Sequence, residues 1–208
     1  ELESLPAKAN GFLAKNERRI SARTMRQLEA DTEVERYKTG FSIFDNITGG
    51  GRRGELWFWC GYVAEYKSTA LMAIAHQNLL AGKNVLFVSL EMDSVEVMRR
   101  LLCMHGYHLG KAIPYTMLAT TQVLSDKIKS NIAEAKHDFD TNSSYGDIQI
   151  WQPPLGVNIN DVGREFERAN SEVAHVDVLV LDYVQKLTAV RQRQKVREEL
   201  NEILDATK

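Results

Sequence analysis

The pattern of hydrophobic and polar positions changes near residue 39. Before it the chain is charged and thinly apolar, and Ile20, Met25 and Leu28 form only a narrow stripe along a plausible helix over residues 16–29. A stripe this narrow does not suit a core helix. Residues 1–37 are therefore predicted to be a linker helix or arm that packs on something else, with a mobile tail as the equal alternative. Residues 38–208 are predicted to form one folded core.

Four short, continuous apolar runs in this core predict buried strands, because each is too short for a buried helix. They are ELWFWC at 55–60, NVLFVSL at 84–90, DIQIW at 147–151 and VDVLVLDY at 176–183. Apolar residues at helical spacing predict helices between and after these strands, at 67–82, 93–106, 121–137 and 159–169, and a terminal helix marked by Val196, Leu200 and Ile203. Gly82 is predicted to stop the first helix. An Asp93–Glu96 capping box is predicted to begin the second helix, and Gly106 to end it.

Alternation of apolar strands with amphipathic helices favours an α/β fold with a mainly parallel, twisted sheet that is covered on both faces. Functional groups on such sheets lie at the carboxyl ends of the strands. We therefore expect the chemistry directly after Cys60, Leu90 and Leu181.

Composition and charge exclude several classes of function. The chain has 208 residues, 44% of them hydrophobic, and a formal net charge of -2, so it is no nucleic-acid binder driven by bulk charge. Cys60 and Cys103 are predicted to be buried free thiols in a reducing compartment. The histidines do not cluster with cysteines as zinc ligands do, and no run approaches the ~20 apolar residues of a membrane span. Without a signal-peptide pattern, a cytoplasmic location is expected.

The segment after the first predicted strand has most of a phosphate-binding loop. The pattern is G-x-x-x-x-G-K-[ST] between a strand and a helix, and here Tyr66 replaces its second glycine. Lys67 would reach the β- and γ-phosphates, and Ser68 would offer its hydroxyl to Mg²⁺. Taken alone, Lys-Ser-Thr at a helix start is more often plain capping. The predicted nucleotide-binding residues are Gly61, Tyr62, Val63, Ala64, Glu65, Tyr66, Lys67, Ser68 and Thr69.

Two carboxylates follow two other predicted strands. Asp182, after four apolar residues, could hold the hydration shell of Mg²⁺ opposite Ser68; the alternative is an aspartate that caps the next turn. Glu91, after the second strand, could orient the attacking water; the alternative is a surface glutamate before a helix.

Four ordered segments resemble the C-terminal, RecA-like ATPase domain of DnaB-type replicative helicases. They are TGFSIFDNITGGGRRGEL from Thr39, the loop after Gly61, SLEM with Arg99 and Arg100 after it, and LDYVQ from Leu181. Order and spacing agree over residues 39–185, roughly seven-tenths of the chain. The resemblance implies a P-loop NTPase core that couples ATP hydrolysis to translocation on single-stranded DNA.

The resemblance also implies roles for single residues. Lys67 and Ser68 would bind phosphate and Mg²⁺, Glu91 would be the catalytic glutamate, Asp182 the Walker B aspartate, and Gln185 a catalytic glutamine near the γ-phosphate. ATP and Mg²⁺ would be the cofactors. The partners would be single-stranded DNA, further copies in a hexameric ring whose neighbours supply an arginine, and a primase or helicase loader. The location would be the cytoplasm, or the host cytoplasm if the protein is phage-encoded.

Three departures from the family pattern matter. A side chain at Tyr66 crowds the approach to phosphate and costs ~1–2 kcal/mol if the position needs a positive φ. The family's last strand, polar sensor and arginine finger would lie beyond Lys208, so the core is expected to be C-terminally incomplete. The DNA-facing loop is short, and five basic residues fit such a loop or else a solvated helix face: Lys186, Arg191, Arg193, Lys195 and Arg197.

Two other functions stay open. Tyr66 suggests a degenerate RecA-like module with weak or no ATPase that serves as a scaffold or partner in replication or recombination. A recombinase or clock-type relative would also carry a glutamate after its second strand, although SLEM and DYVQ favour the helicase branch.

Overall fold

The computed structural model describes residues 35–62, 65–120, 123–172 and 174–188. The predicted helices over 16–29 and around Val196 lie outside this part of the chain, and the boundary between arm and core at residues 37 and 38 stays a prediction. The elements described are β1 Arg36–Tyr37, α1 Ser42–Thr48, β2 Gly51–Arg52, α2 Lys67–Leu80, β3 Val85–Ser89, α3 Ser94–His108, α4 Tyr115–Ala119, α5 Asp126–Thr141, β4 Ile148–Trp151, α6 Ile159–Glu172, β5 Val178–Asp182 and a 3₁₀ turn, Val184–Lys186.

The main sheet has three parallel strands in the order β4-β3-β5. Val88 of β3 is in register with Trp151 on one side and with Leu181 on the other, and Ser89 is in register with Asp182. Three of the four predicted strands are therefore confirmed. β1 and β2 pair separately as a short antiparallel ribbon.

The central strand β3 is buried along its whole length because helices cover both of its faces. Val85 and Phe87 pack in one core with Met72 of α2, whereas Leu86 and Val88 pack in another with Val162 of α6. This alternation is the period of two expected of a strand. Complete burial of a side chain such as Phe87 contributes roughly 1.5–3 kcal/mol, so this strand anchors the domain.

The first predicted strand, residues 55–60, is wrong. Leu56, Trp57 and Phe58 are 43%, 42% and 52% exposed, and no strand pairs with this segment in the described part of the chain. Local contacts hold it instead: Trp57 donates its indole N–H to Glu55 at 3.1 Å. Trp59 packs against the rings of Phe41 and Phe44.

The cysteine prediction is wrong at Cys60, which is exposed because it belongs to this unpaired segment; Cys103 is half-buried. Both thiols are free. Burial raises the pKa of Cys103, and the charge of Glu96 adds to the effect.

The ends of two helices differ from prediction. Gly106 does not end α3 but lies buried inside it. The position has no room for a side chain, since a Cβ there would come within 2.5 Å of Ile113 Cδ1 and 2.7 Å of the Lys111 carbonyl oxygen. The helix predicted over 121–137 runs from Asp126 to Thr141 instead. Of the predicted capping box, the Asp93 half is confirmed, since Asp93 accepts a hydrogen bond from the Glu96 N–H at 2.7 Å. The Glu96 carboxylate binds Arg100 and Tyr115.

Candidate functional site

The loop before α2 ends in a left-handed residue. Tyr66 has φ 57° and ψ 24°, and it alone among the described non-glycine residues has a positive φ. Its ring is 80% exposed. The backbone therefore adopts the conformation in which the phosphate-loop pattern places glycine, although the side chain is a tyrosine. Helix α2 begins at the next residue, Lys67.

Two side chains of this loop bind the same backbone residue. The Lys67 ammonium donates to the Tyr62 carbonyl oxygen at 2.5 Å, and the Glu65 carboxylate accepts from the Tyr62 N–H at 2.7 Å. An ammonium has three donors, so Lys67 keeps two N–H groups for a ligand. Of the other predicted loop residues, Gly61 is exposed, Ser68 and Thr69 are half-buried, and Val63 and Ala64 lie outside the described residues.

The carboxyl ends of β3 and β5 lie side by side beyond this helix start. The Leu90 N–H, just after β3, donates to the Asp182 carbonyl oxygen at 2.7 Å. Ser89 then turns the chain, because its hydroxyl donates to the Met92 carbonyl oxygen at 2.6 Å and accepts from the Met92 N–H at 3.2 Å. Glu91 stands exposed on that turn.

Asp182 is the buried acid of the site. It is 1% exposed, and its Oδ2 accepts no hydrogen bond within the described part of the chain. Burial raises the pKa of Asp182, and the negative charge of Glu91 raises it further. A hydrogen-bonding interaction with Ser68 and the positive charge of Lys67 lower it. The structure thus brings Lys67, Ser68 and Glu91 within electrostatic reach of Asp182.

A residue without a predicted role adds to this site. The positive charge of Arg100 on α3 also lowers the pKa of Asp182. Arg100 donates to Glu96 at 2.6 Å and lies 5.2 Å from the centre of the Tyr115 ring. Its i, i+4 spacing from Glu96 was a signal for the ion pair. Nothing in the sequence indicated Tyr115, whose hydroxyl donates to the same carboxylate at 2.5 Å.

The donor set suits a hard cation. Asp182 has a buried oxygen, Oδ2, that accepts no hydrogen bond within the described residues, and its carboxylate also interacts with the Ser68 hydroxyl. Mg²⁺ prefers oxygen ligands of this kind. The described residues form no cage of three or more acidic, histidine or cysteine ligands. Mg²⁺ commonly uses only one or two protein carboxylates and completes its shell with water and phosphate. Asp182 and Ser68 therefore fit this metal when it arrives with a phosphate ligand.

Of the remaining predicted residues, the structure describes Gln185 and Lys186. Gln185 is exposed in the 3₁₀ turn that follows Asp182. Lys186 is exposed, with its ammonium 5.8 Å from the centre of the Tyr183 ring. The other four basic residues of the predicted DNA-facing segment, from Arg191 onward, lie outside the described residues.

The TGF…D segment forms a hydrogen-bonded turn against α2. Asp45 accepts from the Thr39 N–H at 2.8 Å, the Thr39 hydroxyl at 2.9 Å and the Gly40 N–H at 3.0 Å. Burial alone would raise the pKa of Asp45, but these bonds hold it below its usual value. Asn78 of α2 donates to the Lys38 carbonyl oxygen at 2.9 Å, which ties the turn to the helix that begins at the phosphate loop.

The site residues described above all lie within the range of one family model. The family model of the DnaB-like helicase C terminal domain matches residues 37–208. The chain belongs to this family. A comparison with curated protein sequences found no match.

Solved structures agree with the DnaB-like fold. One is described as the ATPase domain of G40P; it has a TM-score of 0.73 and 16% identity, over 98% of this chain and 66% of that one. Another is a DnaB-like replicative helicase studied with its interactions with primase; it has a TM-score of 0.75 and 17% identity, over 91% of this chain and 44% of that one. The DnaB-like chain described here thus spans about two thirds of one similar chain and less than half of the other.

Family and fold confirm the expected α/β, RecA-like core with a parallel sheet between helices. A helicase-type, nucleotide-binding ATPase domain is the function class that membership in the DnaB-like family supports. Within the described residues, no helix combines the length and apolar character that a membrane span requires.

Proposed function

We propose that the chain is the ATPase core of a DnaB-type replicative helicase that couples ATP hydrolysis to movement along single-stranded DNA. The observation that carries the proposal is the electrostatic neighbourhood of Asp182. The buried Asp182 carboxylate, whose Oδ2 accepts no hydrogen bond within the described residues, interacts with Lys67 and Ser68 of α2 and with Glu91 of the turn after β3. Lysine, hydroxyl and two carboxylates at the carboxyl edge of a parallel sheet are the side chains that phosphoryl transfer from ATP uses.

Each residue has a distinct task in this proposal. The two uncommitted N–H groups of Lys67 bind the β- and γ-phosphates, and backbone N–H groups at the start of α2 face the same phosphates. Ser68 and Asp182 would hold Mg²⁺, which would supply positive charge against the phosphate oxygens. Glu91, exposed at the strand tip, orients a water molecule and accepts its proton. Gln185, exposed in the 3₁₀ turn after Asp182, is assigned to the γ-phosphate in this proposal.

The partners belong to the proposal too. We infer a hexameric ring on single-stranded DNA, in which a neighbouring copy completes each ATP site, and contact with a primase or loader. Similarity to a replicative helicase that was studied with primase supports this assignment. DNA replication in the cytoplasm is the setting that follows.

The direct test is ATP hydrolysis by the full-length protein, with and without single-stranded DNA. Glu91→Gln removes the proton acceptor while keeping the size of the side chain, so turnover is expected to fall about 10²- to 10⁴-fold, with nucleotide affinity little changed. Glu167→Gln, the same exchange at an exposed position of α6, is the matched control and should keep full activity. Equal turnover of Glu91→Gln and wild type would remove Glu91 from the mechanism.

A second candidate is a RecA-like module that binds nucleotide weakly and acts as a scaffold in replication or recombination. The left-handed, exposed Tyr66 favours it, because a large side chain stands where the loop pattern has glycine. Titration of a fluorescent ATP analogue with Mg²⁺ separates the two candidates. Micromolar binding by the wild-type protein would exclude the scaffold function as stated here.

A further inference from the structure

The phosphate loop contains its own anion. Glu65 lies between the first glycine of the loop and the start of α2, and its carboxylate folds back onto the loop. Its Oε2 accepts from the Tyr62 N–H at 2.7 Å and lies 3.0 Å from the position that a Cβ on Gly61 would take. The side chain is thus held against the beginning of the loop, although it is exposed.

This carboxylate has the chemistry of the expected ligand. A carboxylate and a phosphate both offer anionic oxygen acceptors, and both are stabilised by backbone N–H groups and by the positive end of a helix. Glu65 lies two residues before Lys67, the first residue of α2. The backbone of Tyr62 binds the Glu65 carboxylate through its N–H and the Lys67 ammonium through its carbonyl oxygen.

We propose that Glu65 is an intramolecular competitor of the nucleotide phosphates and lowers the affinity of the loop for ATP. The proposal rests on the function proposed above. ATP carries several negative charges, and a carboxylate a few ångströms away repels them. Binding must also separate Glu65 from Tyr62 if the loop is to open around the phosphates.

The exposure of Glu65 determines what can change its effect on ATP affinity. Because Glu65 is exposed, its charge is accessible to salt and to a partner with a basic side chain. A cation placed beside Glu65 by another molecule would draw the carboxylate off the loop and raise nucleotide affinity. Glu65 would then keep the isolated chain in a state of low affinity for ATP.

Glu65→Gln is the informative variant. Glutamine has the same shape, and its amide oxygen still accepts from the Tyr62 N–H, so the loop keeps its fold and loses only the charge. Titration of a fluorescent, non-hydrolysable ATP analogue with Mg²⁺ into the full-length protein is expected to give a dissociation constant about tenfold lower than that of wild type, which is about 1.4 kcal/mol. Glu167→Gln is the matched control and should bind as wild type does.

Salt supplies a second readout. The difference between wild type and Glu65→Gln should shrink as ionic strength rises from about 0.05 to 1 M, because the screening length falls to about 3 Å. A loss of loop structure in the variant would weaken binding at every salt concentration instead.

The outcomes separate this inference from the proposed function. Binding by wild type with equal or weaker binding by Glu65→Gln overturns the inference and leaves nucleotide binding standing. Binding by neither protein overturns nucleotide binding and the inference with it. Binding by Glu65→Gln alone supports the inference in its strongest form.

Discussion

At the scale of single residues, Tyr66 is the position at which this chain departs from the phosphate-loop pattern, which has glycine there. Its φ of 57° is a value that glycine adopts without steric cost and that a side chain with a Cβ adopts at a cost of ~1–2 kcal/mol. The ring is 80% exposed, so packing compensates little of that cost. The loop therefore stores strain that glycine would not.

Replacement of Tyr66 by glycine should stabilise the nucleotide-free protein. We expect Tyr66→Gly to raise the free energy of unfolding by about 1 kcal/mol, because relief of the left-handed strain exceeds the added entropy of glycine in the unfolded chain. Tyr62→Gly is the matched control: Tyr62 is 83% exposed on the same loop and has no positive φ, so glycine there should destabilise. Denaturant unfolding measures both. A stability of Tyr66→Gly below that of wild type would contradict the strain argument.

The sequence predicted those site residues whose position follows from strand ends. Asp182 and Glu91 each come after an apolar run, and parallel strands bring their ends to one edge. The contact of Glu65 with Tyr62 and the contact of Tyr115 with Glu96 were not predictable. They depend on how a loop closes and on where a short helix docks, and neither has a periodic signal in the sequence.

At the scale of elements, three helices are joined by a chain of polar side chains in which His76 and His105 are buried. His105 of α3 donates from Nε2 to Asp138 of α5 at 2.9 Å, and its Nδ1 lies 3.2 Å from Nε2 of His76 on α2. The Tyr145 hydroxyl donates to Asp138 at 3.1 Å, and the His108 ring lies 6.0 Å from His105. With both rings neutral, His76 donates to His105. The helix that begins at the phosphate loop is thus tied to the rest of the domain.

This chain of groups predicts acid-sensitive folding. Burial, with the charges of His105 and His108, lowers the pKa of His76 to about 4, whereas the unfolded chain has a value near 6.5. As pH falls from about 6.5 towards 4 the unfolded state takes up a proton that the folded state resists, so this contribution to stability is complete above pH 6.5 and is lost below it. Between pH 7 and 5 it should cost about 2 kcal/mol.

His76→Gln tests this prediction, because glutamine keeps a donor for His105 but does not titrate. Its free energy of unfolding should fall less than that of wild type between pH 7 and 5. His137→Gln on α5 replaces an exposed histidine and should keep the wild-type profile. Parallel profiles for all three proteins would show that His76 does not control the acid sensitivity.

Sequence periodicity predicted elements that bury a face and misjudged those that do not. β3, β4 and β5 and the helices between them follow from their apolar patterns because they form the two hydrophobic cores on the faces of one sheet. Residues 55–60 have as strong an apolar pattern but are held by side-chain contacts with Glu55, Phe41 and Phe44. Gly106 resembled a helix stop, whereas its real role is close packing against Ile113, a contact that only the tertiary structure defines.

At the scale of the whole molecule, the proposed site joins parts of the fold that are distant in sequence. Lys67 belongs to α2, Glu91 follows β3, and Asp182 ends β5. A ligand that contacts all three binds the folded chain only, because the unfolded chain does not bring them together. Its binding energy therefore adds to the stability of the domain by mass action.

Mg²⁺ with a non-hydrolysable ATP analogue should accordingly raise the melting temperature of the protein. At a ligand concentration 100-fold above the dissociation constant the gain is about 2.7 kcal/mol, or roughly 5–10 °C for a domain of this size. Lys67→Ala removes the ammonium that contacts the phosphates, so its shift should be much smaller. Lys129→Ala, on the exposed face of α5, removes the same charge far along the chain and should keep the full shift. An equal rise in melting temperature for Lys67→Ala and wild type would mean that the analogue binds elsewhere, because phosphate binding at the start of α2 is expected to depend on Lys67.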